Sequence, residues 1–230
     1  MTVVLIYYGI AWIALIATCY VKGARRYEVP AKAAASLGFV LTAVAAAVRS
    51  DHMSFFFRML PAFACCFLGD VLLSVHSGME EKAGQEKKGQ DNRVFLGGVI
   101  AFLTGHIFFL TAFLTMEGPV WSDLIFPCVI AALTIALTRL KGMNMNGMRP
   151  HVTVYAFFVA LLLSKAFGMY LRSGADTRTA YLLAGSFLFF ASDFLLLFLV
   201  FYYKKPAWGD AANLVLYYGG LCLLALGVGQ

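Results

Sequence analysis

The sequence predicts an all-α fold, a polytopic transmembrane bundle of eight helices. Three observations predict it: 61% of the 230 residues are hydrophobic, only 13% are charged, and mean hydropathy is +0.80. A globular chain carries roughly 25% charged residues, so this one has too little charge to cover a water-facing surface. Soluble enzymes and secreted disulfide scaffolds are thereby excluded. At about 20 residues per helical span plus connections, the whole of 1–230 is expected to be a single integral membrane domain.

Apolar stretches bounded by charge, Gly or Pro give spans at 2–21, 33–48, 54–76, 94–115, 120–138, 151–171, 180–202 and 212–228. The first lacks a charged n-region and has the length of a full span, so it reads as a retained helix rather than a signal peptide. The second is short and Ala-rich, and without it the count is seven. The hydrophilic segment 77–93 reads as a solvated loop. The five cysteines, Cys19, Cys65, Cys66, Cys128 and Cys222, lie in apolar runs without CxxC spacing and read as packing residues.

Lys and Arg concentrate in the loops after odd-numbered spans: Lys22, Arg25, Arg26 and Lys32; Lys82, Lys87, Lys88 and Arg93; Arg139, Lys141 and Arg149; Lys204 and Lys205. The other loops hold Arg49, Arg172 and Arg178, with Arg58 just inside the third span. The positive-inside rule makes the odd loops cytoplasmic and both termini extracytoplasmic, the setting expected being a bacterial cell (inner) membrane. The net charge of +6 is spread over short loops with no interleaved aromatics, so the membrane surface explains it and nucleic acid does not.

An ionised side chain at mid-bilayer costs about 2.5–3.5 kcal/mol on insertion scales, so each needs a partner or a function. Asp70 and Asp193 are the acids inside the spans, with Asp51 and Asp123 at span ends; His106 and Lys165 are the buried bases. Helical rise sets Asp70 about 9 Å and Asp193 about 13 Å from the cytoplasmic side, with Tyr217 and Tyr218 at similar depth and Asn213 a turn from Tyr217. His106 and Lys165 come out deeper, near 18–21 Å by the same rise. Cys66, Asp70 and Ser74 share one face of the third helix, Ser186 and Asp193 one face of the seventh, and Gly69, Gly105, Gly185 and Ser192 permit close helix approach. The aspartates either pair structurally with Lys165 or form two carboxyls that titrate apart and serve as acid and base. His76 is turned away from Asp70, so no metal site is expected.

Four strings recur in order: Leu68-Gly69-Asp70-Val71-Leu72-Leu73, Gly105-His106-Ile107-Phe108-Phe109, Ala191-Ser192-Asp193 and Tyr217-Tyr218. Together they resemble the YhhN family of lysoplasmalogenase-like membrane proteins, over residues 60–225. The family's eighth-helix motif usually continues with Gln, where this chain has Gly219-Gly220-Leu221, and Lys165 is not a feature associated with it. The resemblance implies hydrolysis of the vinyl ether bond of a lysoplasmalogen, giving a fatty aldehyde and glycerophosphoethanolamine or glycerophosphocholine, without metal or organic cofactor. Asp70 and Asp193 would be catalytic, and His106, Ser192, Asn213, Tyr217 and Tyr218 supporting or substrate-binding. The partners expected are a lysophospholipid substrate, its phosphate near Arg25, Arg26, Lys204 or Lys205, and membrane lipids. Two other readings stay open: a proton-coupled transporter or lipid-binding scaffold using the aspartates as a relay, and an intramembrane aspartyl protease, whose GxGD element would need glycine where Phe67 stands.

Overall fold

The structure is a computed structural model and describes residues 1–21, 23–50, 52–83, 92–145, 147–203 and 206–230; the side chains of Arg25, 79–83 and Asn92 are not described. Among the described residues eight α-helices follow in chain order: α1 Thr2–Tyr20, α2 Glu28–Ser50, α3 Met53–Ala83, α4 Asn92–Met116, α5 Ile125–Leu137, α6 Arg149–Arg172, α7 Thr177–Phe201 and α8 Gly209–Gly227. Seven are long and apolar enough to cross a membrane; α5 is the exception. The chain is therefore a multi-pass membrane protein.

The weak element is not the one the sequence pointed to. The stretch expected at 33–48 is a full helix of 23 residues, because Pro30 is harmless in a first turn and Glu28 and Lys32 pair at i, i+4, 3.7 Å apart. The span expected at 120–138 instead splits into a four-residue 3-10 turn at Trp121–Leu124 and the 13-residue α5. At about 2.0 Å and 1.5 Å rise per residue, the two reach about 27 Å, just under the hydrocarbon thickness. The solvated loop expected at 77–93 begins later: α3 runs on through Ala83, where Met, Glu, Lys and Ala are good helix formers. Residues 84–91 lie outside the described ones, as do Lys22, Asp51, Lys204 and Lys205.

Cross-helix contacts fix an alternating, up-and-down course. Arg178, at the start of α7, lies over the Phe55 ring of α3 and donates to the Gln230 carbonyl, so one end of the bundle gathers the starts of α3 and α7 and the end of α8. Lys165 and Arg172 meet Glu117 and Asp123, bringing the end of α4, the start of α5 and the end of α6 to that end as well. Tyr8 and Trp12 of α1 bond to the Tyr218 and Leu214 carbonyls, an antiparallel register that sets Thr2 at the same end. We call it the terminal end. At the opposite end a short antiparallel pairing of Met143 with Tyr202 joins the α5–α6 connection to the close of α7. The 3-10 turn and α5 together thus lead from the terminal end toward the opposite one, and the loops after odd-numbered helices, where the basic residues concentrate, share that opposite end.

Glycines set the tightest crossing. A Cβ on Gly185 would lie 2.9 Å from the Gly220 carbonyl oxygen, and one on Gly220 would lie 2.9 Å from the Gly185 carbonyl oxygen and the Phe189 nitrogen. The α7 and α8 backbones touch there, as small residues allow in membranes. This gives Gly220, within the Gly219-Gly220-Leu221 stretch, a packing reason. The core beneath is aromatic: Phe39, Phe63, Phe109, Phe189 and Tyr218 are fully buried.

Candidate active site

The ionisable residues inside the spans fall into three groups, each held by a different set of helices. The first lies between α2, α3 and α8. Asp70 Oδ2 accepts hydrogen bonds from Ser36 Oγ at 2.6 Å and Tyr217 Oη at 2.9 Å, while Tyr218 Oη lies 3.1 Å from Ser36 Oγ. Asp70 is 3% exposed. Its backbone carbonyl takes the Ser74 hydroxyl, which bears out the shared face of the two residues.

The second group lies between α4, α6 and α7. Asp193 Oδ2 accepts from Tyr155 Oη at 3.0 Å and lies 3.4 Å from His106 Nε2. Helical rise alone set His106 well below Asp193, yet they meet. Side chains lean toward the N-terminus of their helix, and α4 and α7 run oppositely, so the imidazole and the carboxyl lean toward each other. The other ring nitrogen, Nδ1, is 2.8 Å from the Phe102 carbonyl, which can only accept, so Nδ1 carries hydrogen. A neutral His106 therefore turns a bare lone pair on Nε2 toward the Asp193 carboxyl. At 3.4 Å the carboxyl is close enough to pair with the ring, and Nε2 has no hydrogen-bond partner among the described residues.

The third group is at the terminal end. Lys165, 1% exposed, does not pair with either aspartate; its Nζ reaches Glu117 at 2.9 Å, Asp123 at 3.3 Å and the Gly118 carbonyl at 2.6 Å. Arg172 adds bonds to Glu117 at 2.5 and 2.7 Å. The hydrogen bond from Arg172, with help from Lys165, holds the Glu117 carboxyl down at about 2. A structural pairing of the aspartates with Lys165 is thus corrected: the lysine is satisfied elsewhere. Two acids and two bases balance there.

An apolar cleft with about 100 Å³ of free volume, room for a slim chain and a few waters, reaches the second group only. Its walls come from α4 (Phe95, Val99, Phe102), α5 (Ile130, Thr134), α6 (Val152 to Val159) and α7 (Phe190 to Phe201), with Leu73 and Met148 at the margin. Asp193 and Tyr155 are its titratable lining groups. Asp70 does not line it. Between the carboxyls lie rings: Tyr217 packs on Phe102 at 5.8 Å and on Phe189 at 5.3 Å, and Phe189 packs on His106 at 4.4 Å. Among the described residues no hydrogen bond joins the aspartates, and each is held by its own tyrosine.

The remaining expected residues have clear positions. Tyr217 reaches Asp70 and not the cleft, and Tyr218 is wholly buried. Asn213 Nδ2 donates to the Ser192 carbonyl at 2.8 Å and lies 3.0 Å from its hydroxyl, so these two clip α7 to α8. His76 packs on Phe95, 5.5 Å between ring centroids, and among the described residues no cluster suits a metal. The sequence reading missed Ser36 and Tyr155. Ser36 is one of three hydroxyls on an Ala-rich helix, with Thr42 and Ser50, which was a usable signal; Tyr155 stands in a run of apolar residues and gave none.

Fold and site together define a multi-pass helical membrane protein with a buried histidine–aspartate pair on the wall of an apolar cleft. The model of the YhhN family matches residues 27–228, and the chain belongs to that family. No curated protein and no solved structure matches it.

Proposed function

We propose that this protein hydrolyses the vinyl ether bond of lysoplasmalogens to a fatty aldehyde and a glycerophospho-alcohol, with Asp193 as the acid. One observation carries the reading: the Asp193 carboxyl, held by Tyr155 and 3.4 Å from the His106 imidazole, faces a cleft that is otherwise almost wholly apolar. Membership of the YhhN family supports it. A vinyl ether hydrolyses by slow protonation of its β-carbon, so the site needs an acid, an anion left behind, and water.

The proton on the His106–Asp193 pair passes to the β-carbon, and the C=C electron pair forms the new C–H bond. Positive charge then develops over the α-carbon and ether oxygen, opposite the carboxylate that has just appeared. In a site shielded from water this attraction exceeds its value in solution. Water adds to the α-carbon and returns a proton to the pair. The hemiacetal collapses, breaking the bond from the α-carbon to the glycerol oxygen as that oxygen takes up the hydroxyl proton. The sequence of charges parallels that of glycosidases. Tyr155, donating to Asp193, fixes the carboxyl; Asp70, through Tyr217 and the Phe102 and Phe189 rings, fixes the cleft's inner wall. No cofactor is invoked.

The cleft reaches the basic end of the bundle, the cytoplasmic side by the positive-inside rule, in a bacterial inner membrane with both termini outside. The test compares three single-chain lipids on purified protein in detergent: 1-alkenyl, 1-alkyl and 1-acyl glycerophosphoethanolamine. Aldehyde from the alkenyl lipid alone is the expected result. Hydrolysis of the acyl lipid alone, or of none, refutes the assignment.

A further inference from the structure

A second apolar groove, with about 700 Å³ of free volume, lies on the same three helices as the far part of the cleft. It is lined by Phe126 of α5, Leu163, Ser164, Phe167 and Tyr170 of α6, and Ala180 to Phe187 of α7. The register is informative. The cleft stops at Ile130, Val159 and Phe190, and the groove starts at Phe126, Leu163 and Phe187, one helical turn nearer the terminal end on every helix. At the junction the rings of Phe126 and Phe190 meet, 5.8 Å between centroids. Cleft and groove are therefore two reaches of one seam with an aromatic pair between them.

The position of Asp193 decides which part of a single-chain lipid each reach can hold. From Asp193 to the end of α7 at Phe201 is eight residues, about 12 Å. From a lysolipid phosphate to the ether β-carbon is about 9 Å, so a headgroup beside Arg149, exposed a turn beyond cleft-lining Val152, uses up that whole distance. No room for a tail remains on that side. On the other side the cleft continues for a single turn, whereas the groove carries on to Ala180. The path from Asp193 is about 13 Å to Ala184 and about 20 Å to Ala180, matching roughly ten and sixteen extended methylenes. Small side chains give the groove its depth: Ala180 and Ala184 are four apart on one face of α7, opposite Ser164.

We propose that this groove binds the hydrocarbon tail of the lipid whose ether bond lies at Asp193, with the Phe126–Phe190 pair as the gate between them, and that its length sets chain-length preference. The proposal rests on the hydrolase reading for the identity of the headgroup side. Its own support is the continuity of the seam and the membrane depth of the groove. Phe167 and Phe187, more than half exposed, form the lips, and a chain lying there would cover them.

Ala184 is exposed to the groove and makes no tight core contact, so Ala184→Phe fills the channel without disturbing the fold. Aldehyde release is measured for 1-alkenyl glycerophosphoethanolamines with tails of 10 and 18 carbons. The variant is expected to lose at least tenfold on the 18-carbon lipid and to stay within twofold on the 10-carbon lipid. Equal losses on both, or none, overturn the proposal. A second measurement needs no turnover: a lysophospholipid with a diazirine at the tail terminus is photolysed in the detergent-solubilised protein, and labelled peptides are mapped. Labelling centred on 163–170 and 180–187, abolished by Ala184→Phe, supports the groove even if the wild type releases no aldehyde, an outcome that removes the hydrolase reading alone. Label spread evenly over all lipid-facing helices assigns the groove to bulk lipid. A dimer that Ala184→Phe dissociates, with labelling unchanged, assigns it to a second copy. Either result overturns the proposal.

Discussion

Replacing Lys165 with Met tests whether the charges at the terminal end hold the short helix in place. The lysine is 1% exposed and gives its three hydrogens to Glu117, Asp123 and the Gly118 carbonyl. Breaking a buried ion pair from one side typically costs about 3–5 kcal/mol, because the partner is left charged and dry. Here the cost is smaller: Glu117 keeps Arg172, and Asp123 keeps two longer contacts to Arg172 at 3.3 and 3.4 Å. The expected loss is thus about 2–3 kcal/mol, or a Tm lower by about 4–12 °C for a chain of this size. Thermal unfolding of the purified protein in detergent measures it. Adding Asp123→Leu to Lys165→Met should recover most of the loss, since the buried acid left with only the long Arg172 contacts is its main cause. A Tm within 1 °C of wild type for Lys165→Met alone would refute the reasoning.

Three further outcomes follow from the same geometry. The Glu117 carboxyl, held at about 2 by Arg172, contributes stability that is complete above its ordinary value of 4.5 and is lost as pH falls toward 2; Glu117→Gln should flatten Tm against pH in that window, and an unchanged profile counts against the pairing. Tyr217→Phe removes a hydrogen bond to Asp70 and should slow aldehyde release more than Tyr218→Phe, whose hydroxyl meets Ser36; equal negligible losses would confine the chemistry to α4, α6 and α7. A reporter fused after Gln230 should lie on the same face of the membrane as one placed before Thr2, with Lys141 labelled from the opposite face; termini on opposite faces would mean that α5 fails to cross.

Most of the fold was legible because hydropathy and loop charge act along the chain. Eight helices, their alternating course and the gathering of basic loops at one end all follow from those two patterns. The misjudged pair, α2 and α5, shows the limit. The apolar run of α2 looks short because Glu28, Pro30 and Lys32 fall in its first turns, yet they belong to the helix, whereas the shortening of α5 accompanies the tethering of the α4–α5 connection to Lys165 and Arg172, a contact between residues some 50 positions apart. At the site, sequence named both aspartates and His106 from the cost of burying them. It could not divide them into separate groups, because the lean of side chains on antiparallel helices and the rings of Phe102, Phe189 and Tyr217 exist only once the helices are packed. Ser192 and Asn213, read as possible substrate contacts, form a clip for the same reason.

The central claim is that Asp193, beside His106 on the cleft wall, delivers the proton to the ether. Its most direct test is aldehyde release by Asp193→Asn, with thermal unfolding confirming that the variant is folded. Asn keeps the volume and can still accept from Tyr155, but cannot donate an acidic proton. Loss of general acid catalysis typically costs 10²–10⁴ in rate, so release at least a hundredfold slower is predicted. A folded Asp193→Asn protein that keeps more than a third of wild-type release contradicts the account.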